Sequence, residues 1–277
     1  MINTSIGIVG QGFVGSALRE GLREKTRVET YDLVKESTCT SLKELCSKAS
    51  IIFVCVPTPM NKDGSCNVEN VRETVMNINK FTNEQQITVI KSTVVPGTTK
   101  DLDDLCTSSV IFSPEFLTEK NHIEDYKNQS RIIFGGNRES TQKLSNLFKG
   151  FFPSSKIIST DATTAEMVKY FANCFLAVKV SFSNEMKQLC DQLSIDHKEI
   201  IDYVVEDKRI GKTHFTVPGP DKKLGFGGSC FPKDVNAMIH FCSKHGVDPL
   251  VLQAAWQKNL QVRPEKDWEK LKGRAVS

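Results

Sequence analysis

Short apolar runs alternate with helix-period segments over the first 160 residues. Most of the runs are rich in Val, Ile and Phe, and each stops at a turn, as strands buried on both faces of a parallel sheet do. Helix-period patterns lie between the runs, clearest at residues 68–81 and 140–149. The runs lie at residues 5–9, 28–31, 51–56, 87–91, 110–112, 131–134 and 156–158. This alternation predicts an α/β fold with a doubly wound sheet.

A different pattern follows the last of these runs. Residues 162–193 keep a helical period without Pro or Gly, which corresponds to about nine turns at 3.6 residues per turn. Helices of that length often connect domains or pair with another copy. The rest reads as helices around one glycine-rich loop. We predict three parts: a sheet domain over 1–160, a long connecting or dimerisation helix over 161–193, and a small all-helical domain over 194–277.

The first apolar run ends in a GxGxxG turn, which is followed by a helical pattern, a second strand and an acid. A lone GxGxxG is weak evidence, but this order is that of a Rossmann-type nucleotide-binding unit. The glycines would form a tight turn under a pyrophosphate. Asp32 would accept hydrogen bonds from ribose hydroxyls and repel a 2′-phosphate, which favours NAD over NADP. The residues predicted to bind NAD here are Gly10, Gly12, Phe13, Val14, Gly15 and Asp32.

Three further strand ends are placed to reach the cofactor, because ligands bind at the carboxyl ends of parallel strands. Pro57 and Thr58 follow the third strand, and Thr93 follows the fourth. Thr93 could equally be a plain helix cap. Glu115 and Glu119 follow the fifth strand. These two acids share a helical spacing, and they are candidates for acid–base work or simply charges near a helix N-terminus.

Composition excludes several classes of function. The 277 residues carry a net charge of +3 without a dense basic run, so we expect no nucleic-acid partner. The start at Met1 has neither a basic segment nor a long apolar stretch, so we expect no leader, no membrane span and a cytoplasmic location. Nine scattered cysteines predict reduced thiols. His240, Cys242 and His245 do not make a zinc set, and no metal is expected.

The sequence Gly225–Asp234 (GFGGSCFPKD) carries the strongest chemical signal. Cys230 follows a glycine-rich turn and precedes Pro232, a residue suited to the first turn of a helix. A helix N-terminus favours a thiolate. Asp234, four residues on, would share a face with Cys230. A buried structural cysteine is the ordinary alternative, but the surrounding residues favour a nucleophile.

On the long helix, Lys169 and Asn173 lie four residues apart and so share a face. They stand among apolar neighbours, and the two residues alone fit a snorkelling lysine and a satisfied core asparagine. Together with the cysteine loop, they become candidates for polarising a substrate oxygen.

Read in order, these motifs resemble one family of enzymes. They are GxGxxG, KSTVVPGT, PEFLTE, the Lys169–Asn173 pair, Arg209-Ile210-Gly211 and GFGGSCFPKD. The chain is similar to the UDP-glucose/GDP-mannose dehydrogenases, nucleotide-sugar dehydrogenases, from residue 5 to about residue 271. The cysteine motif is highly specific, whereas the first glycine motif is not.

The resemblance implies a role for each matching residue. Cys230 would be the nucleophile, with Thr93 and Glu115 as positioning or base residues. Substrate oxygens would be handled by Lys169, Asn173 and Asp234. Glu119 and Lys233 would lie near the nicotinamide. Arg209 would reach a neighbouring subunit's site. The remaining substrate contacts would come from Phe116, Leu117, Phe226 and Gly227.

The resemblance also implies a reaction. A primary alcohol of a nucleotide sugar, UDP-glucose above all, would be oxidised to a carboxylate with two NAD, through a thiohemiacetal and a thioester on Cys230. The family's usual third domain, which holds the nucleotide of the substrate, is expected to be missing here. A homodimer is expected through the long helix. The rivals are a single-step β-hydroxyacid dehydrogenase, which needs no such cysteine loop, and a binding protein that has lost turnover.

Overall fold

The computed structural model describes residues 4–277. The expected absence of a leader partly rests on the start at Met1, which lies outside the described residues. The chain divides into two units. The first contains the residues up to Thr58 and Val68–Lys169, and the second contains Pro59–Asn67 and Tyr170–Ser277. The predicted domain bounds after residues 160 and 193 stay predictions.

The first unit is built on one seven-stranded sheet in the order β2-β1-β3-β4-β5-β6-β7. Every neighbouring pair is parallel except β5–β6, which meet in antiparallel sense at Phe112 and Gly135. The strands are β1 (Ser5–Val9), β2 (Arg27–Tyr31), β3 (Ile51–Val54), β4 (Ile87–Ile90), β5 (Ser109–Phe112), β6 (Arg131–Gly135) and β7 (Lys156–Thr160). The α/β class and all seven predicted strands are therefore confirmed.

Alternate residues of the inner strands enter two separate cores, which makes the sheet doubly wound. In β3, Ile51 and Phe53 face one core, and Ile52 and Val54 face the other. Helices α1, α5 and α6 cover the first face, and α2, α3 and α4 cover the second. Because β1, β3, β4 and β5 contain no charged residue, they suit the interior of a sheet covered on both sides.

The helices of the first unit include three that the periodicity did not predict. Those three, α2, α4 and α5, have only six or seven residues, which is too short for a periodic pattern. The helices are α1 (Phe13–Leu22), α2 (Leu42–Lys48), α3 (Glu69–Asn79), α4 (Thr98–Asp103), α5 (His122–Lys127), α6 (Arg138–Phe151) and α7 (Ala162–Gln192). The division between the units falls inside α7.

The second unit is helical, as predicted. Besides the later part of α7 it contains α8 (His197–Val204), α9 (Phe231–Lys244), α10 (Leu250–Val262) and a short 3-10 helix at Asp267–Lys270. Its segment Pro59–Asn67 pairs with the chain end, since Met60 N–H donates to Ala275 O (2.9 Å) and Ser277 N–H donates to Met60 O (2.9 Å). All nine cysteines are free thiols. No helix within residues 4–277 is both long and apolar enough to cross a membrane.

Candidate functional site

The glycine-rich turn between β1 and α1 has the geometry of a phosphate cradle. Gly10 has φ +90° and donates its N–H to Tyr31 O (2.9 Å). A side chain at Gly15 would overlap Gly10 O, so α1 can pack this closely only because residue 15 has no Cβ. A Cβ on Gly12, by contrast, would meet nothing within 4 Å. The turn therefore leaves open space directly before the first residue of α1, Phe13, where a helix N-terminus attracts an anion.

Asp32 stands at the end of β2, as a ribose ligand requires. Its Oδ2 accepts the N–H of Gln11 (2.6 Å), and its Oδ1 accepts the N–H groups of Val34 and Lys35 (both 2.9 Å). Burial alone would raise the pKa of Asp32, but these backbone donors outweigh it and hold the pKa below its usual value. The carboxylate is therefore ionised at neutral pH and would repel a 2′-phosphate. Together with the open space at Gly12, these residues fit NAD.

Gln11, which the sequence did not single out, joins the glycine turn to the loop after Asp32. Its side-chain Nε2 donates to Glu36 O (2.7 Å) and Ser37 Oγ (3.0 Å), while its Oε1 accepts Arg19 Nη1 (2.8 Å). The side chain is buried. Gln11 therefore fixes the ribose-side loop relative to the turn.

Glu115 lies just past β5 in a buried group of charges. Its Oε1 accepts the Phe116 N–H (2.5 Å), and its Oε2 is 3.4 Å from Nζ of Lys91, which is also buried. Within the part of the chain that the structure describes, Oε2 has no hydrogen-bond partner despite that ion pair. Lys91 Nζ donates instead to Pro114 O (3.1 Å). Glu115 thus has one buried carboxylate oxygen that makes no hydrogen bond to the described residues.

The structure brings Lys169 to Glu115. Lys169 Nζ donates to the backbone carbonyl of Glu115, and it lies 5.3 Å from the centre of the Phe116 ring. The Arg131 guanidinium lies 4.1 Å from the same ring. Phe116 is therefore held by two cations, and Leu117, partly buried, packs against the apolar core.

Thr93 lies in the turn between β4 and α4, and this turn is held by a residue that sequence reasoning missed. Glu166, fully buried on α7, accepts the N–H of Gly97 (2.7 Å) and the N–H of Thr99 (2.8 Å). Burial raises the pKa of Glu166 to about 7, against the effect of these hydrogen bonds. Pro57 and buried Thr58 follow β3 at the same carboxyl edge of the sheet.

In the second unit, Cys230 is the N-cap residue of α9, and Pro232 lies in the first turn, as predicted. Cys230 is exposed, whereas the other eight cysteines are buried or partly buried. Its Sγ lies 3.8 Å from Ser229 Oγ. A thiol at this position lies at the N-terminal, positive end of a 14-residue helix, where a helix stabilises an anion.

Asn173, Lys233 and Asp234 form a buried polar group in the same unit. Asp234, 1% exposed, accepts Asn173 Nδ2 at Oδ2 (2.6 Å) and Lys233 Nζ at Oδ1 (2.5 Å). Burial alone would lower the pKa of Lys233, but the negative charge of Asp234 and the nearby Cys66 and Cys230 raise it above its usual value. Lys233 is therefore an ammonium at neutral pH, and it interacts electrostatically with Cys230.

Asp234, which was predicted to act on substrate oxygens, makes its contacts to other side chains of this group. Its N–H donates to Cys230 O (3.0 Å), so the two residues are one turn apart as expected. The carboxylate, however, is turned to Asn173 and Lys233. It orients the amide of Asn173 and compensates the charge of Lys233, and a role for it as a base stays a prediction.

The other predicted residues lie outside these groups. Arg209 is exposed and pairs with Asp207 (2.5 Å). Glu119 is exposed, and its carbonyl lies 2.9 Å from His122 Nδ1. Phe226 is buried against Phe231 and Trp256. A substrate therefore cannot meet the ring of Phe226 in this arrangement, whereas Gly227 is partly exposed.

The sequence offered signals for some of the missed residues. Lys91 directly follows an apolar strand inside the quoted KSTVVPGT motif, and a lysine at such a place must find a buried partner. Glu166 stands three residues before Lys169 on one helix, among apolar positions. Gln11 carries no signal, because the partners of its amide come from a loop 25 residues away.

Comparison with known proteins gives consistent matches over most of the chain. Residues 22–152 match the NAD-binding domain of the UDP-glucose/GDP-mannose dehydrogenase family, and residues 163–261 match its central domain. The chain is 37% identical to UDP-glucose 6-dehydrogenase YwqF of Bacillus subtilis over 228 residues, which is 79% of this chain and 50% of that protein. It thus spans about half the length of the curated relatives it matches.

Solved structures give the same result. A UDP-glucose dehydrogenase from Pyrobaculum islandicum superposes with a TM-score of 0.85 at 28% identity, over 98% of this chain and 71% of that one. A 3-hydroxyisobutyrate dehydrogenase from Mycobacterium tuberculosis shares the fold, with a TM-score of 0.76 at 18% identity over 96% of each chain. Two matched domains in order, the relatives and the cysteine motif lead to one conclusion: the chain belongs to the UDP-glucose/GDP-mannose dehydrogenase family.

Proposed function

We propose that the chain oxidises the primary alcohol of a nucleotide sugar to a carboxylate, with UDP-glucose as substrate and UDP-glucuronate as product. The observation that carries this proposal is Cys230, an exposed thiol at the N-terminus of α9 beside the Lys233 ammonium. A dehydrogenase that stops at a carbonyl needs no such nucleophile. An enzyme that goes on to the acid must hold the aldehyde, and a thiolate does so covalently.

When bound, NAD would supply the hydride acceptor for both oxidations, held by the glycine turn and Asp32. The Cys230 thiolate would add to the aldehyde carbon, and the carbonyl oxygen would take up a proton to give a thiohemiacetal. Oxidation of that adduct leaves a thioester on Cys230. Water then attacks the thioester carbon, the C–S bond breaks, the carboxylate leaves and the thiol is restored.

Two polar groups of the chain support these steps. Asn173 carries an amide whose orientation is fixed by Asp234, and a fixed amide donor can stabilise an oxyanion. Glu115 has a carboxylate oxygen without a hydrogen-bond partner among residues 4–277, which suits a base acting through water. Lys169 as a second oxyanion donor, Thr93 as a water ligand and Arg209 as a residue of a neighbouring subunit's site are parts of the same proposal.

We also propose a homodimer through α7. Four of its aromatic and aliphatic side chains in the second unit, Phe171, Phe175, Phe182 and Leu189, are between 52% and 69% exposed. At about 100° per residue they lie within about 40° of one another around the helix. A continuous apolar stripe on a helix is self-complementary, so a second copy of α7 is its proposed occupant.

The direct test is NADH formation by the purified chain with UDP-glucose and NAD, with a panel of other nucleotide sugars as alternatives. We expect two NADH for each uronate. One NADH for each substrate, with free aldehyde as product, would favour the single-step rival. No NADH with any nucleotide sugar, despite measurable NAD binding, would favour a binding protein.

Cys230→Ser tests the covalent step. We expect loss of uronate formation, at least 100-fold, because serine is a weaker nucleophile and an alkoxide is a poor leaving group. NAD affinity, measured by protein fluorescence, should stay unchanged. Full uronate production by the serine variant would contradict the thioester route.

A further inference from the structure

The glycine loop before Cys230 is held by polar contacts to its backbone. Five backbone groups of Leu224–Gly228 are bound by four side chains that lie elsewhere in the second unit. Gly225 N–H donates to Asn184 Oδ1 on α7 (3.0 Å), and Gly228 N–H donates to Asp267 Oδ2 (3.2 Å). Leu224 O accepts Nη1 of Arg263 (3.2 Å). The loop is therefore anchored at its beginning and at its end.

Asn259 on α10 holds the middle of the loop. Its Oδ1 accepts the N–H of Phe226 (2.7 Å), and its Nδ2 donates to the carbonyl of the same residue (2.9 Å). Asn259 is fully buried. One side-chain amide thus satisfies both polar groups of one buried residue, as a neighbouring strand would.

Arg263 joins the anchors to one another. It is 2% exposed and donates to Asp267 Oδ1 (2.6 Å) and to Asp221 Oδ2 (2.6 Å). A Cβ on Gly227 would overlap its guanidinium, and a Cβ on Gly225, where φ is +65°, would overlap Oδ1 of Asn259. We call the four side chains that bind the loop the clamp. The contacts of the clamp require Gly225 and Gly227 to lack side chains, just as the turn does.

The clamp fixes the loop that leads into α9, and it therefore fixes the position of Cys230. Cys230 follows Gly228 by two residues and is the N-cap of α9. The helix N-terminus and the Lys233 ammonium can stabilise negative charge on its sulfur only while the preceding loop keeps this conformation. We infer that Asn259 and Arg263, with Asn184 and Asp267, are positioning residues for Cys230, which act through the backbone of residues 224–228 and do not touch the reacting atoms. The inference rests on the proposed function of Cys230 as nucleophile.

The test is Asn259→Leu, which keeps the volume of the side chain and removes both bonds to Phe226. Three measurements are made on the full chain: hydrogen exchange over residues 224–230, the rate constant for alkylation of Cys230 by iodoacetamide, and kcat and KM for NADH formation with UDP-glucose. We expect at least tenfold faster exchange in the loop, at least threefold slower alkylation, and a kcat at least tenfold lower with an unchanged KM for NAD.

Ser181→Ala is the matched control. Ser181 on α7 is also buried, but its hydroxyl donates to Ala255 O on α10 (2.7 Å) and not to the backbone of the glycine loop. If Ser181→Ala changes alkylation and kcat as much as Asn259→Leu does, looser packing of α7 and α10 explains the effect, and the inference is overturned.

Asp267→Ala provides a second variant in case Asn259→Leu does not fold, because Asp267 is partly exposed. It removes the bond to Gly228 and one partner of Arg263. It should give the same three changes at smaller size. Unchanged exchange and unchanged alkylation in this variant would also overturn the inference. Hydrogen exchange and alkylation do not depend on turnover. A chain that is inactive with every nucleotide sugar would therefore contradict the proposed function, while the effect of the clamp on the loop and on Cys230 could still be measured.

Discussion

At the scale of single residues, three buried cations of this protein have carboxylate partners. Lys91 lies beside Glu115, Lys233 beside Asp234, and Arg263 between two carboxylates. A buried charge without a partner would cost several kcal/mol. These ion pairs therefore hold their side chains in fixed places, which is the property that an active site needs.

Asp32 should determine cofactor choice. Asp32→Ala removes the carboxylate that would accept the ribose hydroxyls, and a hydrogen bond to a charged group is worth about 1.5–3 kcal/mol. We expect NAD to bind at least tenfold more weakly and the preference for NAD over NADP to decrease. Fluorescence titration with both cofactors measures this. Asp32→Asn keeps the size of the side chain and one acceptor oxygen, but it removes the negative charge, and its NH2 group cannot accept a backbone N–H. Unchanged affinities in both variants would exclude Asp32 as the ribose ligand.

Glu166 should make stability depend on pH. Its pKa in the folded chain, about 7, lies above the ordinary 4.5, so the folded state holds a proton that the unfolded chain has lost. Stability from this group is full below pH 4.5 and is lost as pH rises to about 7. The loss is on the order of 3 kcal/mol, since one pKa unit is worth about 1.4 kcal/mol.

Urea unfolding of the wild type and of Glu166→Gln between pH 4.5 and 7.5 measures that contribution. The glutamine variant cannot ionise, so its free energy of unfolding should fall less steeply with pH, although it is less stable at pH 4.5 because its amide cannot accept both N–H groups well. Parallel curves for the two proteins would show that Glu166 does not titrate in this range.

At the scale of elements, the turn between β1 and α1 separates a folding role from a binding role. Gly15 touches Gly10, whereas Gly12 faces open space. Alanine at position 15 should therefore lower the stability of the fold, whereas alanine at position 12 should weaken NAD binding.

Gly15→Ala should destabilise the first unit by about 1–3 kcal/mol, the usual cost of overpacking. Gly12→Ala should change the free energy of unfolding by no more than about 0.5 kcal/mol but weaken NAD at least tenfold, because its methyl group fills the space that the cofactor would enter. Thermal unfolding and NAD titration on both variants check this pair. Tight NAD binding by Gly12→Ala would show that the cofactor does not approach this turn.

The sequence predicted the elements whose pattern is long or strongly apolar and missed the short ones. Six of the seven strands follow from runs of Val, Ile and Phe, and helix α7 follows from an unbroken helical period, whereas β2 follows from its place between the first helical pattern and Asp32. Helix α2 could have been found from its cap: Ser41 accepts the N–H of Glu44 (3.2 Å), and Glu44 accepts the N–H of Thr40 (2.8 Å), which is the S-x-x-E signature. Helices α4 and α5 offer no comparable signal.

The candidate site was predictable to the extent that its residues belong to local motifs. Cys230 at a helix N-terminus follows from the glycines and Pro232, and Asp32 follows from its place after β2. The bond between Asn173 and Asp234 joins residues 61 positions apart, and the bond between Phe226 and Asn259 joins residues 33 positions apart. No spacing rule reports such contacts, because they are set by tertiary packing.

At the scale of the whole molecule, the exposed stripe on α7 predicts assembly. We expect a dimer for the wild type and a monomer for Leu189→Glu at micromolar concentration, because a carboxylate within an apolar helix contact cannot be paired. Light scattering measures the mass. Lys187→Glu, which lies on the same helix but is paired with Asp191, is the charge control. A wild-type monomer that turns over substrate would exclude both the dimer and a shared site.

The strand order of the sheet also determines which edge strands are exposed while the chain is being synthesised. β1, β2 and β3 are neighbours and lie within the first 54 residues, and each later strand adds to the same edge in the order in which it is synthesised. The finished edges carry charge, Arg27 and Glu29 on β2 and Lys156 on β7, while β3, β4 and β5 carry none. Charged edges resist pairing with other chains, and bare apolar edges invite it. At about 5–20 residues per second, the ribosome presents an uncharged edge for several seconds, so this sheet is most exposed to aggregation during its synthesis.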